Sequence, residues 1–332
     1  MYYKEALLGC VALGTAILVL LTISLLCAIK CRIRKLVNGL IWITSYSDLI
    51  KAPYILNKYQ ISSMIFRIAT CWLRSYPSIY IIGEMKCGTT ALNEYLNQHP
   101  LIKLNTRQFV KEPHFFEGRS VFRHNFEDCP WLYKSFFDWA WCDTSYQIDA
   151  TPQKLHVYWL LKKIKHISPN AKIIICVRDP ISRAVSNYTM LVNRKQETRD
   201  INTVVCEQLL NKPHTVTNES IFEYIEGNDF IFPMLDYQYI ARGLYVNGID
   251  ECMRLFGNNV YILKQGDLWK TPQKTLDDVC TFLNIPPIHN LKLIEKNKGF
   301  NHPQLDEATK NKLVQYYTDS NTLLCRKYGI SF

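Results

Sequence analysis

Three short apolar segments are each followed by a helical pattern, and this alternation is what most constrains the fold. The apolar segments are Ile79–Ile82, Ile173–Val177 and Val260–Leu263. The helical patterns after them cover Thr89–Asn97, about Ile181–Val192 and about Thr271–Leu283. Continuous apolar strands that alternate with helices are typical of a parallel sheet covered on both faces. The sequence therefore predicts an α/β domain with a central parallel sheet flanked by helices.

A long apolar segment near the start of the chain predicts a membrane anchor. Ala6–Ile29 contains no charged side chain, and roughly 20 apolar residues suffice to cross a bilayer as a helix. The segment is also longer than the apolar region of a cleaved signal peptide. We expect a tail at 1–5, a transmembrane signal anchor at 6–29, a juxtamembrane stem at 30–77 and a further domain at 78–332.

Composition and charge narrow the class of protein without naming a partner. The chain is 48% hydrophobic and 20% charged, which excludes a disordered protein. Its formal net charge is +10, and most of this excess lies in the first 75 residues. The rest is close to neutral, so we expect no nucleic-acid partner. The twelve Cys form no CxxC pair and show no zinc-site spacing, so no metal is expected.

A glycine-containing loop, Gly83–Thr90, joins the first strand to its helix. Such a loop presents backbone N–H groups and the positive end of the helix to an anion. Lys86 adds a charge, and Thr89 and Thr90 add hydroxyl groups. An ATP or GTP loop has Lys directly after its second glycine, whereas Lys86 precedes Gly88 by two positions. We predict a phosphate-binding loop of another kind; the alternative is a tight turn with incidental polar residues.

Two motifs resemble those of sulfotransferases that use 3′-phosphoadenosine 5′-phosphosulfate (PAPS). Lys86–Leu92 resembles their 5′-phosphosulfate loop, and Arg178–Tyr188 is similar to their 3′-phosphate motif. The resemblance spans about residues 78–332 and implies a P-loop-like sulfotransferase fold with PAPS as co-substrate and no metal. Arg178 and Ser186 are about two helical turns apart, so both can reach one phosphate. The residues that the resemblance assigns to PAPS in these two motifs are Lys86, Cys87, Gly88, Thr89, Thr90, Arg178 and Ser186.

A third segment, Lys298-Gly299-Phe300, is similar to the loop that closes over the nucleotide in Golgi heparan and chondroitin sulfotransferases. The resemblance implies that Lys298, Gly299 and Phe300 contact PAPS. Phe300 stands where the family usually has Arg, so the contact made by that Arg is not expected here.

The segment Lys111-Glu112-Pro113-His114-Phe115-Phe116 resembles the part of the membrane-bound glycosaminoglycan enzymes that carries their catalytic base. The resemblance implies Glu112 as general base and Lys111 as a substrate contact, while Lys86 stabilises the leaving group. His114 is the alternative base, because soluble sulfotransferases use a His. The same ring could instead pack beside the two Phe residues.

Asp149-Ala150-Thr151-Pro152 stands where some heparan enzymes have Glu-Lys-Thr-Pro. Asp149 is expected to orient the acceptor, whereas Ala150 lacks the amine found in those enzymes. The overall pattern is nearest the chondroitin/dermatan N-acetylgalactosamine 6-O-sulfotransferase type.

The resemblance implies sulfonate transfer to a carbohydrate, a glycosaminoglycan, at a hydroxyl or, as second choice, an amine. It also implies a Golgi membrane protein with a lumenal catalytic domain and a glycan at Asn218. The basic residues Lys30–Lys35 after the anchor oppose that orientation under the positive-inside rule.

The basic clusters 162–166 and 194–199 are either solvated helix faces or acceptor contacts. A decayed sulfotransferase fold that only binds ligands and a nucleotide-dependent phosphotransferase are the competing functions.

Overall fold

The computed structural model describes residues 30, 66–103, 112–117, 130–140, 146–157, 160–211, 236–294 and 303–332. The chain divides into two compact units, 1–71 and 72–332. In the first unit the structure describes residues 30 and 66–71, of which 30 and 66–69 are α-helical. The anchor predicted at 6–29 lies outside the described residues. Among the helices that are described, none has the length and apolar character needed to span a membrane.

The second unit contains a five-stranded sheet. Its strands are β1 (Ile79–Gly83), β2 (Ile102–Lys103), β3 (Tyr146–Asp149), β4 (Lys172–Val177) and β5 (Val260–Lys264). They lie in the order β2-β3-β1-β4-β5, and each neighbouring pair is parallel. The predicted parallel sheet is therefore confirmed, with β1, β4 and β5 at the three apolar segments.

Eight helices accompany the sheet in the described part of the chain. They are α1 (Thr89–Leu96), α2 (Leu160–Ile167), α3 (Pro180–Asn193), α4 (Ile201–Leu210), α5 (Val246–Phe256), α6 (Gln265–Lys270), α7 (Pro272–Leu283) and α8 (Glu307–Tyr328). Short 3₁₀ helices cover Cys71–Leu73, Phe115–Glu117, Pro130–Phe136, Ala241–Gly243 and Gly257–Asn259. The helices expected after β1, β4 and β5 correspond to α1, α3 and α7. The short helix α6, which separates β5 from α7, was not expected.

Strand β3 did not stand out in the sequence because two of its four residues are polar. Gln147 is buried, and its amide group forms hydrogen bonds at both ends. Its side-chain nitrogen donates to the Ser75 hydroxyl at 2.7 Å, and its oxygen accepts from the Asp138 N–H at 2.7 Å. A buried amide is tolerated in a sheet when its polar atoms are paired in this way.

Strands β1 and β4 form the centre of the sheet. They pair over five residues, from Ile79 opposite Lys172 to Gly83 opposite Cys176. The Ile residues of both strands are fully buried, and burying each such side chain contributes about 1.5–3 kcal/mol. Because all five strands are parallel, the segments that follow β1, β3 and β4 emerge at the same edge of the sheet. A ligand site is expected at that edge.

We predict that Gly83→Ala destabilises the fold by at least about 2 kcal/mol. Gly83 has φ +138°, and a Cβ atom there would lie 2.3 Å from the Cys176 carbonyl oxygen. Urea unfolding of the full chain in detergent measures the loss. Gly266→Ala in α6 is the matched control, because nothing lies within 4 Å of its added Cβ. Equal unfolding midpoints for the two variants would contradict this account.

Candidate functional site

The loop between β1 and α1 has a backbone that suits anion binding. Gly88 is the N-cap of α1 with φ 89°, and as a glycine it brings no side chain to cap the helix. Lys86 also has positive φ, at 72°. The Cys87 N–H donates to the Glu84 carbonyl oxygen at 3.1 Å and closes the turn. The first-turn N–H groups of α1 thus face the loop, as in phosphate-binding loops.

Lys86 and Arg178, two residues predicted to contact PAPS, lie together at this edge. The Arg178 guanidinium donates to the Lys86 carbonyl oxygen at 3.2 Å. Burial lowers the pKa of Lys86, and the cationic groups of Arg178 and Arg194 lower it further. Burial likewise lowers the pKa of Arg178. In both residues the charged form is destabilised by its surroundings, and a bound anion would stabilise it.

Tyr245, the residue before α5, contacts both the loop after β1 and the loop after β4. Its buried hydroxyl donates to the Arg178 carbonyl oxygen at 2.8 Å and lies 3.7 Å from the Cys87 sulfur. Cys87 is fully buried, and burial raises the pKa of its thiol. The Cys87 side chain therefore packs inside the protein, and its N–H is already bonded to the Glu84 carbonyl oxygen. Thr89 is buried as well, whereas Thr90 is exposed.

Helix α3 carries the second predicted motif. Asp179 caps the helix by accepting from the Ser182 N–H at 2.7 Å. Ser186 lies two turns into the helix on its buried face. Arg183, on the same helix, is fully buried and donates to the Tyr239 carbonyl oxygen. The buried face of α3 thus carries the Arg183 guanidinium and the Ser186 hydroxyl.

A buried ion pair anchors the loop after β1. The Arg242 Nε donates to Glu84 at 2.6 Å, and both side chains are almost completely inaccessible. A second carboxylate, Asp236, has one oxygen 4.0 Å from the Arg242 Nη1. Burial lowers the pKa of the neighbouring His156 to about 4, and the charge of Glu84 only partly opposes this. His156 is therefore neutral at pH 7, and Glu84 is balanced by Arg242.

The two candidate bases are in contact. The His114 Nε2 lies 3.2 Å from a Glu112 carboxylate oxygen, and both side chains are about one quarter exposed. His114 has a positive φ of 48°, which directs the chain into the short helix at Phe115–Glu117. A carboxylate held beside an imidazole in a partly accessible position is an arrangement that can accept a proton.

Asp149 lies at the end of β3 and is deeply buried. Tyr133 donates to its Oδ2, and the Thr151 N–H donates to its Oδ1 at 2.8 Å. The Lys154 ammonium group lies 3.4 Å from Oδ2 and is also buried. An amine therefore stands beside this carboxylate even though Ala150 has none. With these partners, Asp149 positions the chain after β3 in the structure as it stands.

Several predicted site residues lie outside the described part of the chain. They are Lys111, Asn218, Lys298, Gly299 and Phe300. Among the residues that are described, no group of three or more His, Cys, Asp or Glu could hold a metal ion. Among the described cysteines, Cys206, Cys252, Cys280 and Cys325 are free thiols.

Several residues around the candidate site were not predicted from the sequence. Glu84 gave one clue in the sequence, because an acidic residue in a loop predicted to bind an anion needs a cationic side chain beside it. Arg242 lies 158 positions away, and nothing in the pattern identifies it as that cation. The positions of Asp236, Tyr245 and Lys154 likewise follow only from the fold.

Comparison with known proteins gives consistent results. The family model described as Sulfotransferase domain matches residues 77–328. Heparan sulfate glucosamine 3-O-sulfotransferase 5 from Mus musculus is 25% identical over 275 residues, which cover 75% of this chain and 71% of the relative. Bifunctional heparan sulfate N-deacetylase/N-sulfotransferase 4 from Mus musculus is 24% identical over 279 residues, which cover 75% of this chain and 30% of the relative.

The crystal structure of a sulfotransferase from Alicyclobacillus acidocaldarius superimposes with a TM-score of 0.57 at 21% identity, covering 78% of this chain and 98% of that one. That last similarity supports the same fold.

We predict that Glu84→Gln destabilises the protein by about 3–5 kcal/mol, because it removes the carboxylate that balances a buried guanidinium. Urea unfolding of the full chain in detergent measures this loss. Glu307→Gln is the matched control, since Glu307 pairs with Lys310 at 3.5 Å and both side chains are exposed. Exposed pairs contribute little, so the control should unfold close to wild type. A similar loss in both variants would show that burial of the Glu84 pair does not matter.

Proposed function

Since the chain belongs to the sulfotransferase domain family, we propose that it transfers a sulfonate group from PAPS to a carbohydrate hydroxyl group. The observation that carries this proposal is the meeting of Lys86 and Arg178 at the carboxyl edge of the sheet, joined by a 3.2 Å hydrogen bond. Each residue belongs to one of the two motifs that the PAPS-dependent enzymes use for the two ends of the donor.

The residues of the site fit a donor with two separate anionic groups. Lys86 has its pKa lowered by burial and by two neighbouring cations, so a bound phosphosulfate would restore a favourable environment for its charge. Arg178 and Ser186 on the next loop and helix would hold the second phosphate. Glu84 would not repel the donor, because Arg242 bonds its carboxylate at 2.6 Å.

PAPS supplies a sulfonate group attached to a phosphate that can leave. Glu112 takes the proton from the acceptor hydroxyl as the acceptor oxygen forms its bond to sulfur. Lys86 stabilises the electron pair that stays on the phosphate oxygen when the old sulfur–oxygen bond breaks. His114, 3.2 Å from Glu112, orients that carboxylate and serves as the alternative base.

We propose heparan sulfate as the acceptor class. The relatives compared above are enzymes of heparan sulfate, which favours this polymer over the chondroitin type that the Lys111–His114 segment resembles. A hydroxyl group is the first choice, because the more similar of these relatives is named as an O-sulfotransferase. The Golgi location and the lumenal orientation remain proposals that rest on the sequence.

We expect the full chain in detergent to bind adenosine 3′,5′-bisphosphate at least about tenfold more tightly than ADP, as measured by calorimetry. The two ligands differ in the 3′-phosphate that Arg178 and Ser186 would hold. Arg178→Ala should abolish the preference, while Arg254→Ala on the exposed face of α5 should preserve it. Equal binding of the two nucleotides by the wild type would favour a nucleotide-dependent phosphotransferase, and no binding would favour a decayed fold.

Glu112→Gln should lower kcat by about 10²–10⁴-fold, because the variant keeps the shape of the side chain but cannot take the proton. Sulfonate transfer from labelled PAPS to heparan sulfate measures the rate, and calorimetry checks that bisphosphate affinity is retained. His114→Asn should have a smaller effect. The reverse order, with His114→Asn inactive and Glu112→Gln nearly normal, would assign the base to His114.

A further inference from the structure

Asp236 is held at the site by its backbone. The Asn187 side-chain amide, on α3, donates to the Asp236 carbonyl oxygen at 2.8 Å. Asn187 is itself fully buried in that helix, so this bond fixes Asp236 to the helix that carries Ser186. The position of Asp236 is therefore set by the same element that would hold the 3′-phosphate.

The carboxylate of Asp236 is only partly compensated. Its Oδ1 is shielded from solvent, forms no hydrogen bond and lies 4.0 Å from the Arg242 Nη1. The side chain keeps 19% of its surface accessible, and Oδ2 is the oxygen that remains open to a ligand. Burial raises the pKa of this carboxyl, while Arg242, Arg194 and His114 oppose the rise. A carboxylate kept in such a place gains from a hydrogen-bond donor.

The neighbours of Asp236 place it between the two halves of the reaction site. Arg194 acts electrostatically on Asp236 and also on Lys86, the residue at the leaving group. His114, which contacts the base Glu112, also acts on Asp236. Arg242, 4.0 Å from Asp236, also bonds Glu84 of the loop after β1 at 2.6 Å. Asp236 therefore shares a cation with that loop, and an acceptor must lie between the loop and the base pair.

We propose that Asp236 binds the acceptor sugar, accepting a hydrogen bond from an unsulfated hydroxyl or a free amino group next to the reacting hydroxyl. This inference rests on the proposed function. A carboxylate at this point attracts a hydrogen-bond donor and repels a sulfate or carboxylate group. Asp236 therefore selects against acceptors that are already sulfated at the position it contacts, which makes it a specificity-determining residue.

The test compares two acceptors of equal chain length, unsulfated heparosan and heavily sulfated heparin, using the full chain in detergent and labelled PAPS. The quantity measured is the ratio of kcat/KM for heparosan to kcat/KM for heparin. Asp236→Asn should lower this ratio by about tenfold or more. The KM for heparin should fall because an amide no longer repels sulfate, and the KM for heparosan should rise because its hydroxyl loses a charged acceptor. Asp278→Asn makes the same charge change at an exposed position of α7 and should leave the ratio unchanged.

A purely structural role for Asp236 would lower both activities together and leave the ratio as it is, which would overturn the proposal. Asp236→Ser also removes the charge within the same space, and it takes the place of Asp236→Asn if that variant does not fold. A wild type that binds the bisphosphate but modifies neither polymer would refute the proposed acceptor class and this inference with it. A wild type that is active, with a ratio unaffected by either variant, would refute this inference alone.

Discussion

The candidate site depends on the direct pairing of β1 with β4. These strands are far apart in the chain but pair in parallel over five residues, ending with Gly83 opposite Cys176. At that end the backbones approach so closely that only a glycine fits, since a Cβ on Gly83 would lie 2.3 Å from the Cys176 carbonyl oxygen. The loop after β1 and the loop after β4 consequently start side by side. The bond from Arg178 to the Lys86 carbonyl oxygen follows from this pairing.

The phosphate-binding loop carries an acidic residue, which is unexpected in a site for an anionic donor. Glu84 is compatible with that role because Arg242 neutralises it inside the protein. A buried ion pair adds little net stability once desolvation is counted, although losing one partner is costly. The pair is therefore better understood as a constraint on position. It connects the donor loop to the segment before α5, which also supplies Tyr245 to the Arg178 carbonyl oxygen.

The sequence was sufficient for the parts of the fold that depend on local pattern. Continuous apolar runs identified β1, β4 and β5. The residues after β1 and β4 predicted two anion-binding segments, which the fold brings to the same edge of the sheet. Strand β3 was missed because two of its four residues, Gln147 and Asp149, are polar although they are buried. The Gln147 amide bonds Ser75, which is distant in sequence. Ala150 has no amine, but Lys154, four residues further along, brings an ammonium group to the Asp149 carboxylate. Contacts of this kind depend on tertiary packing, and no spacing rule applied to one sequence reveals them.

Arg242 interacts much more closely with one of its two neighbouring carboxylates than with the other. It bonds Glu84 at 2.6 Å in a fully buried pair, and it approaches Asp236 only to 4.0 Å. Because electrostatic attraction weakens with distance and with exposure to water, most of its charge compensates Glu84. The charge of Glu84 is therefore largely neutralised and acts only weakly on a ligand. The charge of Asp236 is neutralised less completely, and one of its oxygens is accessible. One guanidinium thus holds the first acid as a structural element of the loop after β1 and leaves the second acid accessible, as the proposed acceptor contact requires.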